Sequence, residues 1–158
     1  MNRLSAMKQK AHYIGLGSNT WDYSRDEAEF FVQGFCKKLN VGSKTSYLMW
    51  TSFYTQHIYL FHRDNGRWEC VDDWHCGTGR AVTPSPTGTK EIGNKSPYHH
   101  NLKWWSSFTA EGLGNAFHSK YSGDRVGQTL SHGCIRNPVK KAKKVYDNCA
   151  RGTRVINF

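Results

Sequence analysis

The stretch Ser131-His132-Gly133-Cys134-Ile135-Arg136-Asn137-Pro138 decides how the rest of the chain is read. After it, Asn137 can cap and Pro138 can begin a helix whose Val139, Ala142, Tyr146 and Cys149 form an apolar stripe. Gly152 should end that helix, and Thr153 to Phe158 reads as a closing strand. A cysteine where an irregular, glycine-containing stretch meets a helix faces unpaired N–H groups and partial positive charge. Both stabilise a thiolate and lower its pKa from about 8.5, and a nearby histidine and Arg136 push the same way. Gly133 lets the backbone come close to a reacting carbonyl, where its N–H groups can form an oxyanion hole.

A cysteine nucleophile needs a base. His118, after the Leu113 to Phe117 segment, is the better candidate, because His132 is too near Cys134 in the chain.

Around this constellation the sequence is rich in strands and turns. Tyr47 to Thr55 and Gln56 to Arg63 read as paired strands, and Asp64-Asn65-Gly66 as a turn that returns Trp68 to Asp73 antiparallel. Thr83-Pro84-Ser85-Pro86-Thr87-Gly88 is a rigid loop before a strand over Thr89 to Ile92. Leu102 to Thr109 is a further strand, in which Trp104 and Trp105 should point to opposite faces, one of them able to line a groove. Ahead of the β region, Ser24-Arg25-Asp26-Glu27 has the form of a capping box. Ala28, Phe31, Val32 and Phe35 follow at helical spacing, predicting a helix over 25–39 that docks by this face. Gly42 to Lys44 is a polar break, so residues 1–43 are read as an N-terminal extension and 44–158 as the catalytic domain.

Composition agrees with one mostly β domain: 158 residues, 14% aromatic, six Trp and fifteen Gly. The net charge of +10 points to anionic surroundings: nucleic acid, membrane lipid or the polymers of a bacterial wall. No stretch approaches the ~20 apolar residues of a membrane span, and no apolar run follows the charged start Met1 to Lys10. The five cysteines leave at least one unpaired within the chain; the other four are either two disulfides, in any of three pairings, or buried thiols. Cys70 and Cys76 have five residues between them and no second close pair completes a zinc set, so no metal or other cofactor is expected. The histidine-rich stretches also lack metal-binding spacing.

The motif resembles that of the L,D-transpeptidase catalytic domain, the YkuD family. That family's pattern is a His, a loop, Ser/Thr-His-Gly-Cys, an apolar residue and Arg or Asn; here His118 is followed, after twelve residues, by Ser131 to Arg136. Thr78-Gly79, the Thr83 to Thr89 loop and the closing Gly152-Thr153 with its apolar strand are similar to further family segments, so the resemblance covers residues 44–158. Lys90 departs from it, standing where an apolar or aromatic residue is common.

The resemblance implies a β-sandwich or barrel-like domain with a late helix. It also implies Cys134 as nucleophile, His118 as base and the Ser119 carbonyl as the group orienting the imidazole, with His132 and Gly133 supporting the site. Arg136, Ser131, Trp105 and Tyr98 are the expected substrate contacts. The implied reaction takes the bond between the diamino acid and D-Ala of a peptidoglycan tetrapeptide stem through a thioester to a 3→3 cross-link. With water as acceptor it becomes an L,D-carboxypeptidase reaction. Stem peptides, anionic wall polymers and carbapenem-type inhibitors are the implied partners. The implied location is extracytoplasmic, in the wall or secreted from a bacterium, with the export signal outside this chain. Two other readings compete: an idle wall-binding module that keeps the aromatic cleft, and a nucleic-acid binder favoured only by charge and aromatics.

Overall fold

The computed structural model describes residues 24–53, 55–109, 114–120 and 133–158. Helix α1 (Arg25–Leu39) is followed by β1 (Tyr47–Ser52), β2 (His57–Asp64), β3 (Arg67–His75), β4 (Gly88–Glu91), β5 (Lys95–His99) and β6 (Leu102–Ser107). Then come β7 (Ala116–Lys120), β8 (Ile135–Arg136), α2 (Val139–Asn148) and β9 (Arg154–Asn157). A five-stranded sheet has the order β3-β2-β1-β9-β4 and a four-stranded sheet the order β5-β6-β7-β8. The expected mostly β sandwich with a late helix is the fold found.

The five-stranded sheet is the middle layer. Along β1 and β2, Leu48, Trp50, Tyr59 and Phe61 face α1, where they meet Ala28 and Val32. Met49, Ile58 and Leu60 face the other sheet, where they meet Phe117, Ile135 and Val145 of α2. Both faces being covered explains why these two strands are nearly continuously buried rather than alternating. The last strand, β9, completes the layer by running parallel to β1 and antiparallel to β4.

Helix α1 begins at the expected capping box: Ser24 Oγ accepts from Glu27 N–H, and Glu27 Oε1 accepts from Ser24 N–H. It ends at Asn40, whose φ of 51° is the left-handed conformation that asparagine tolerates. Besides covering a sheet face, it closes an edge. On β3, Gln33 bonds both the N–H and the C=O of Trp68, and Glu29 accepts from Cys70 N–H. These backbone groups would otherwise be open to strand addition.

Charge fastens the same corner. Asp72 is buried, and its carboxylate meets Lys141 at 2.7 Å, Lys144 at 2.5 Å and Arg25 at 3.6 Å, joining α1, β3 and α2. Asp73 takes Arg25 at 2.5 Å and the buried His57 at 2.7 Å. All five cysteines are free thiols. Burial pushes Cys36 up to about 11 and Cys70 and Cys149 up to about 12, as expected of cysteines used as packing residues.

Three details depart from the sequence reading. Asn137 does not cap α2: Pro138 holds the N-cap position with no side-chain cap bond, and the Asn137 side chain is engaged elsewhere. The helix ends at Asn148, so Gly152, at φ 94°, turns the chain into β9 instead of terminating the helix. In β6 the register skips between Lys103 and Ser106, with Trp104 at φ 55°. Trp104 therefore packs on Tyr146 of α2, while Trp105 turns inward.

Burial works against the charge on Asp72, but Lys141, Lys144 and the Asp73 N–H outweigh it and hold the carboxyl below its ordinary value; Arg25 and His57 act alike on Asp73. A depressed folded-state pKa contributes stability above the ordinary carboxylate range of about 4, and that stability is lost as pH falls through the folded value. The melting temperature should therefore drop between pH 5 and pH 2. Asp72→Asn should cost about 2 kcal/mol at pH 7 and flatten that drop, as read by calorimetry.

Candidate active site

The site is built on the shortest strand. Residues Ile135 and Arg136 of β8 pair in parallel with Phe117 and His118 of β7. Phe117 and Ile135 point into the core between the sheets. Strand alternation then puts Ala116 and His118, with Cys134 and Arg136, on the opposite face. Cys134 stands one step before Ile135, beside Ala116, whose backbone N–H is directed at its sulfur.

Two devices hold this register. Asn137, fully buried, accepts from the Trp74 indole at 2.8 Å and donates from its amide to the Ile135 carbonyl at 2.9 Å and the His118 carbonyl at 3.3 Å. Its backbone N–H reaches the same His118 carbonyl at 2.9 Å. On the other side, Gly77 and Arg136 exchange backbone hydrogen bonds of 2.9 and 2.8 Å, tying the end of β3 to β8. The sequence reading missed this role of Asn137, because capping and strand-clamping asparagines look the same without the fold.

Gly133 has φ 114°, a conformation that requires glycine, and a Cβ there would lie 2.6 Å from Asn115 Oδ1 and displace that side chain. Asn115 Oδ1 is also 4.0 Å from the Cys134 sulfur. His118 is buried at 3% exposure, and its Nδ1 lies 3.4 Å from the Ser119 carbonyl. A carbonyl can only accept, so this contact places the proton on Nδ1 and leaves Nε2 as the basic nitrogen. The Trp105 ring lies parallel to the imidazole, 9° between planes and 5.7 Å between centroids.

Cys134, His118, Ser119, Gly133 and Arg136 are thus gathered on two adjoining strands and the turn before them. Trp105 is 4% exposed, a wall behind the imidazole. Tyr98 is exposed on β5, opposite Lys103. Ser131 and His132 lie outside the described residues. A second glycine supports the region by close backbone approach: a Cβ on Gly79 would be 2.1 Å from the Thr83 carbonyl, and buried Gln56 bonds both the hydroxyl and the N–H of Thr78. Gln56 also went unnoticed in the sequence. Among the described residues no cluster of His, Cys, Asp and Glu could hold a metal ion, and no helix is long and apolar enough to cross a membrane.

The electrostatics correct one expectation. Burial raises the Cys134 thiol above its ordinary value, with the Ala116 N–H and Arg136 opposing it only in part. The expected helix N-terminus is absent at this position, since β8 and Asn137-Pro138 separate Cys134 from the first turn of α2.

The family model of the L,D-transpeptidase catalytic domain, YkuD, matches residues 46–156. The chain belongs to this family. Solved L,D-transpeptidases are among the structures with a similar fold. A Stackebrandtia nassauensis L,D-transpeptidase superposes with TM-score 0.61 at 20% identity, over 75% of this chain and 58% of that one. L,D-transpeptidase 3 from Mycobacterium tuberculosis, solved with a faropenem-derived adduct, gives 0.57 at 19%, over 71% and 60%. A Clostridium acetobutylicum protein described as a fused zinc-dependent amidase/peptidase with a peptidoglycan-binding domain gives 0.64 at 24%, over 89% and 66%. These identities speak to fold alone, and the chain spans 58 to 66% of the length of these three structures. No curated protein matches the sequence significantly.

Two outcomes follow from the site's geometry. Alkylation of Cys134 by iodoacetamide, followed by peptide mass analysis, should accelerate through and beyond pH 8.5, with no plateau near pH 6 of the kind a resting thiolate–imidazolium pair produces. Asn137→Ala removes the side-chain partner of the Trp74 indole and of the Ile135 carbonyl, while the His118 carbonyl keeps the backbone N–H of residue 137; it should cost about 3 kcal/mol in chemical denaturation.

Proposed function

We propose that this L,D-transpeptidase-family domain works through Cys134. The thiol attacks the carbonyl between the diamino acid and the terminal D-Ala of a peptidoglycan tetrapeptide stem. The observation that supports this best is the β7–β8 register, which sets Cys134 and His118 on one face of neighbouring strands.

Because the resting thiol is protonated, the reaction needs a base. Nε2 of His118 takes the thiol proton as the sulfur–carbon bond forms, and N–H groups around His132 and Gly133 stabilise the oxyanion. The imidazolium then protonates the departing amine, the carbon–nitrogen bond breaks, D-Ala leaves and a thioester remains. In the second half, His118 accepts a proton from an incoming side-chain amine, an amide forms, and the sulfur leaves and is reprotonated. The product is a 3→3 cross-link; water in place of the amine gives a tripeptide and an L,D-carboxypeptidase. Ser119 acts through its carbonyl, which holds the ring in the required tautomer.

Arg136, Ser131 and the Tyr98 ring contact the stem, with Arg136 suited to a carboxylate, whereas the buried Trp105 ring, expected from the sequence as a further contact, backs the imidazole instead. Residues 44–158 make up the catalytic unit, and residues 1–43 are an extension whose helix braces the sheet. The substrate places the enzyme outside the cytoplasm, at the wall. Carbapenem-type β-lactams, which present a strained acyl group to the same sulfur, are the expected inhibitors.

Incubation with a purified disaccharide-tetrapeptide, followed by mass analysis, should give dimers that have lost one D-Ala. Cys134→Ala should abolish them, and His118→Ala should slow them by about 10²–10⁴-fold. Tripeptide alone would mean the carboxypeptidase. No product, together with no imipenem adduct on the intact protein, would leave an idle wall-binding module.

A further inference from the structure

Away from the thiol, a pocket of about 720 Å³ opens between β4, the Ile92–Asn94 turn, Phe108–Thr109 and the Arg151–Arg154 turn. Four cations line it, Lys44, Lys90, Arg151 and Arg154, against one carboxylate, Glu91. Glu91 is already shared: Oε2 meets Lys44 at 3.2 Å and Oε1 meets Arg154 at 3.3 Å. Arg154 is further fixed by the Gly42 carbonyl at 2.8 Å and the Lys90 carbonyl at 3.5 Å, so among the described residues the single charge of Glu91 is all that offsets Lys44 and Arg154 together. Lys90 and Arg151 have no acidic partner among the described residues; Arg151 reaches only Asn94 Oδ1, at 3.5 Å. The concavity therefore carries a surplus of positive charge, with Lys44 and Arg154 held in place.

We propose that this pocket is a binding site for a phosphodiester-linked polyanion. The surplus suits a ligand with several charges, and the volume exceeds what a single small anion fills. Arginine and lysine together suit phosphate, one as a bidentate fork and the other as a mobile point charge. Nucleic acid shares this chemistry but also gains from exposed rings on which bases stack. The pocket's one aromatic residue, Phe108, is 1% exposed and committed to the core. A sugar- or polyol-phosphate chain, as in an anionic wall polymer, is thus the better fit.

The location adds a consequence. Gly93 of the pocket bonds Ser107 of β6, Ser107 pairs with Ala116 of β7, and Ala116 adjoins Cys134. At ~4.8 Å per strand, the pocket and the thiol lie roughly 14 Å apart along one end of the same sheet. A polymer held there anchors the domain with the thiol left uncovered, so binding is independent of the proposed thiol chemistry.

The test is titration calorimetry of the whole chain with a defined poly(glycerol phosphate) oligomer at moderate salt. Cys134→Ala, folded as judged by its melting curve, should bind like the parent. The pair Lys90→Glu and Arg151→Glu should weaken binding at least tenfold. The control pair Arg67→Glu and Lys140→Glu carries the same change in net charge at exposed sites outside the pocket, and should weaken it less than threefold. Equal losses in both pairs would show that diffuse charge binds, and no loss in the pocket pair would show that the pocket does not; either result overturns the proposal. Tighter binding of single-stranded DNA with the same number of phosphates would also overturn it, in favour of nucleic acid.

Discussion

The alternation of β7 and β8 across their shared parallel pairing governs everything else in this molecule. Phe117 and Ile135 face the core and His118 and Cys134 face away from it, so the same two strands build the hydrophobic interior and the candidate chemistry. A slip of one residue would send a histidine and a cysteine into the core and two large apolar side chains out of it. A two-residue strand cannot hold its register by its own ladder, so the clamp must come from outside. The Asn137 amide on one side and the Gly77–Arg136 backbone exchange on the other provide it.

The same logic explains why so much structure stands behind a small site. Gly77 follows β3, β3 is edged by α1, and Lys141 and Lys144 of α2 converge on Asp72 of β3. The α2 helix is also the element that directly follows the β8 turn. Force on any of these elements is passed to β8 through hydrogen bonds between buried or half-buried groups, which deform little. The extension helix is thus part of the frame: through Gln33, Glu29 and Arg25 it fixes the strand from which Gly77 is presented.

How much of this was legible in the sequence depended on the length of each signal. The capping box and four apolar residues at helical spacing located α1 to the residue, and Asn65-Gly66 located the β2–β3 hairpin. β5 went unseen because Lys95 to His99 has no apolar alternation, and β8 because two residues have no period at all. Of the candidate site, the residue types and their spacing were legible, but their environment was not. Loop-then-helix order suggested a thiolate-stabilising helix terminus, whereas the chain makes a strand first and half-buries Cys134. The irregular β6 was beyond reach for a related reason: whether Trp104 or Trp105 turns inward depends on a skip in register set by the neighbouring strands.

The raised thiol also bears on what a strongly basic chain can do for a reaction. A net charge of +10 stabilises any anion in principle, yet at Cys134 the loss of hydration outweighs the Ala116 N–H and Arg136 together. Charge at a distance is screened by solvent within about 10 Å, whereas desolvation acts at the atom itself. Most of the basic residues are therefore too remote or too well solvated to activate the sulfur, and activation has to come from a group within proton-transfer reach. In the proposed reaction that group is the His118 imidazole, whose tautomer the Ser119 carbonyl fixes and whose ring stacks on Trp105. What the distant cations can still do is attract and hold polyanions, which needs only a shared surface potential and a concavity to focus it.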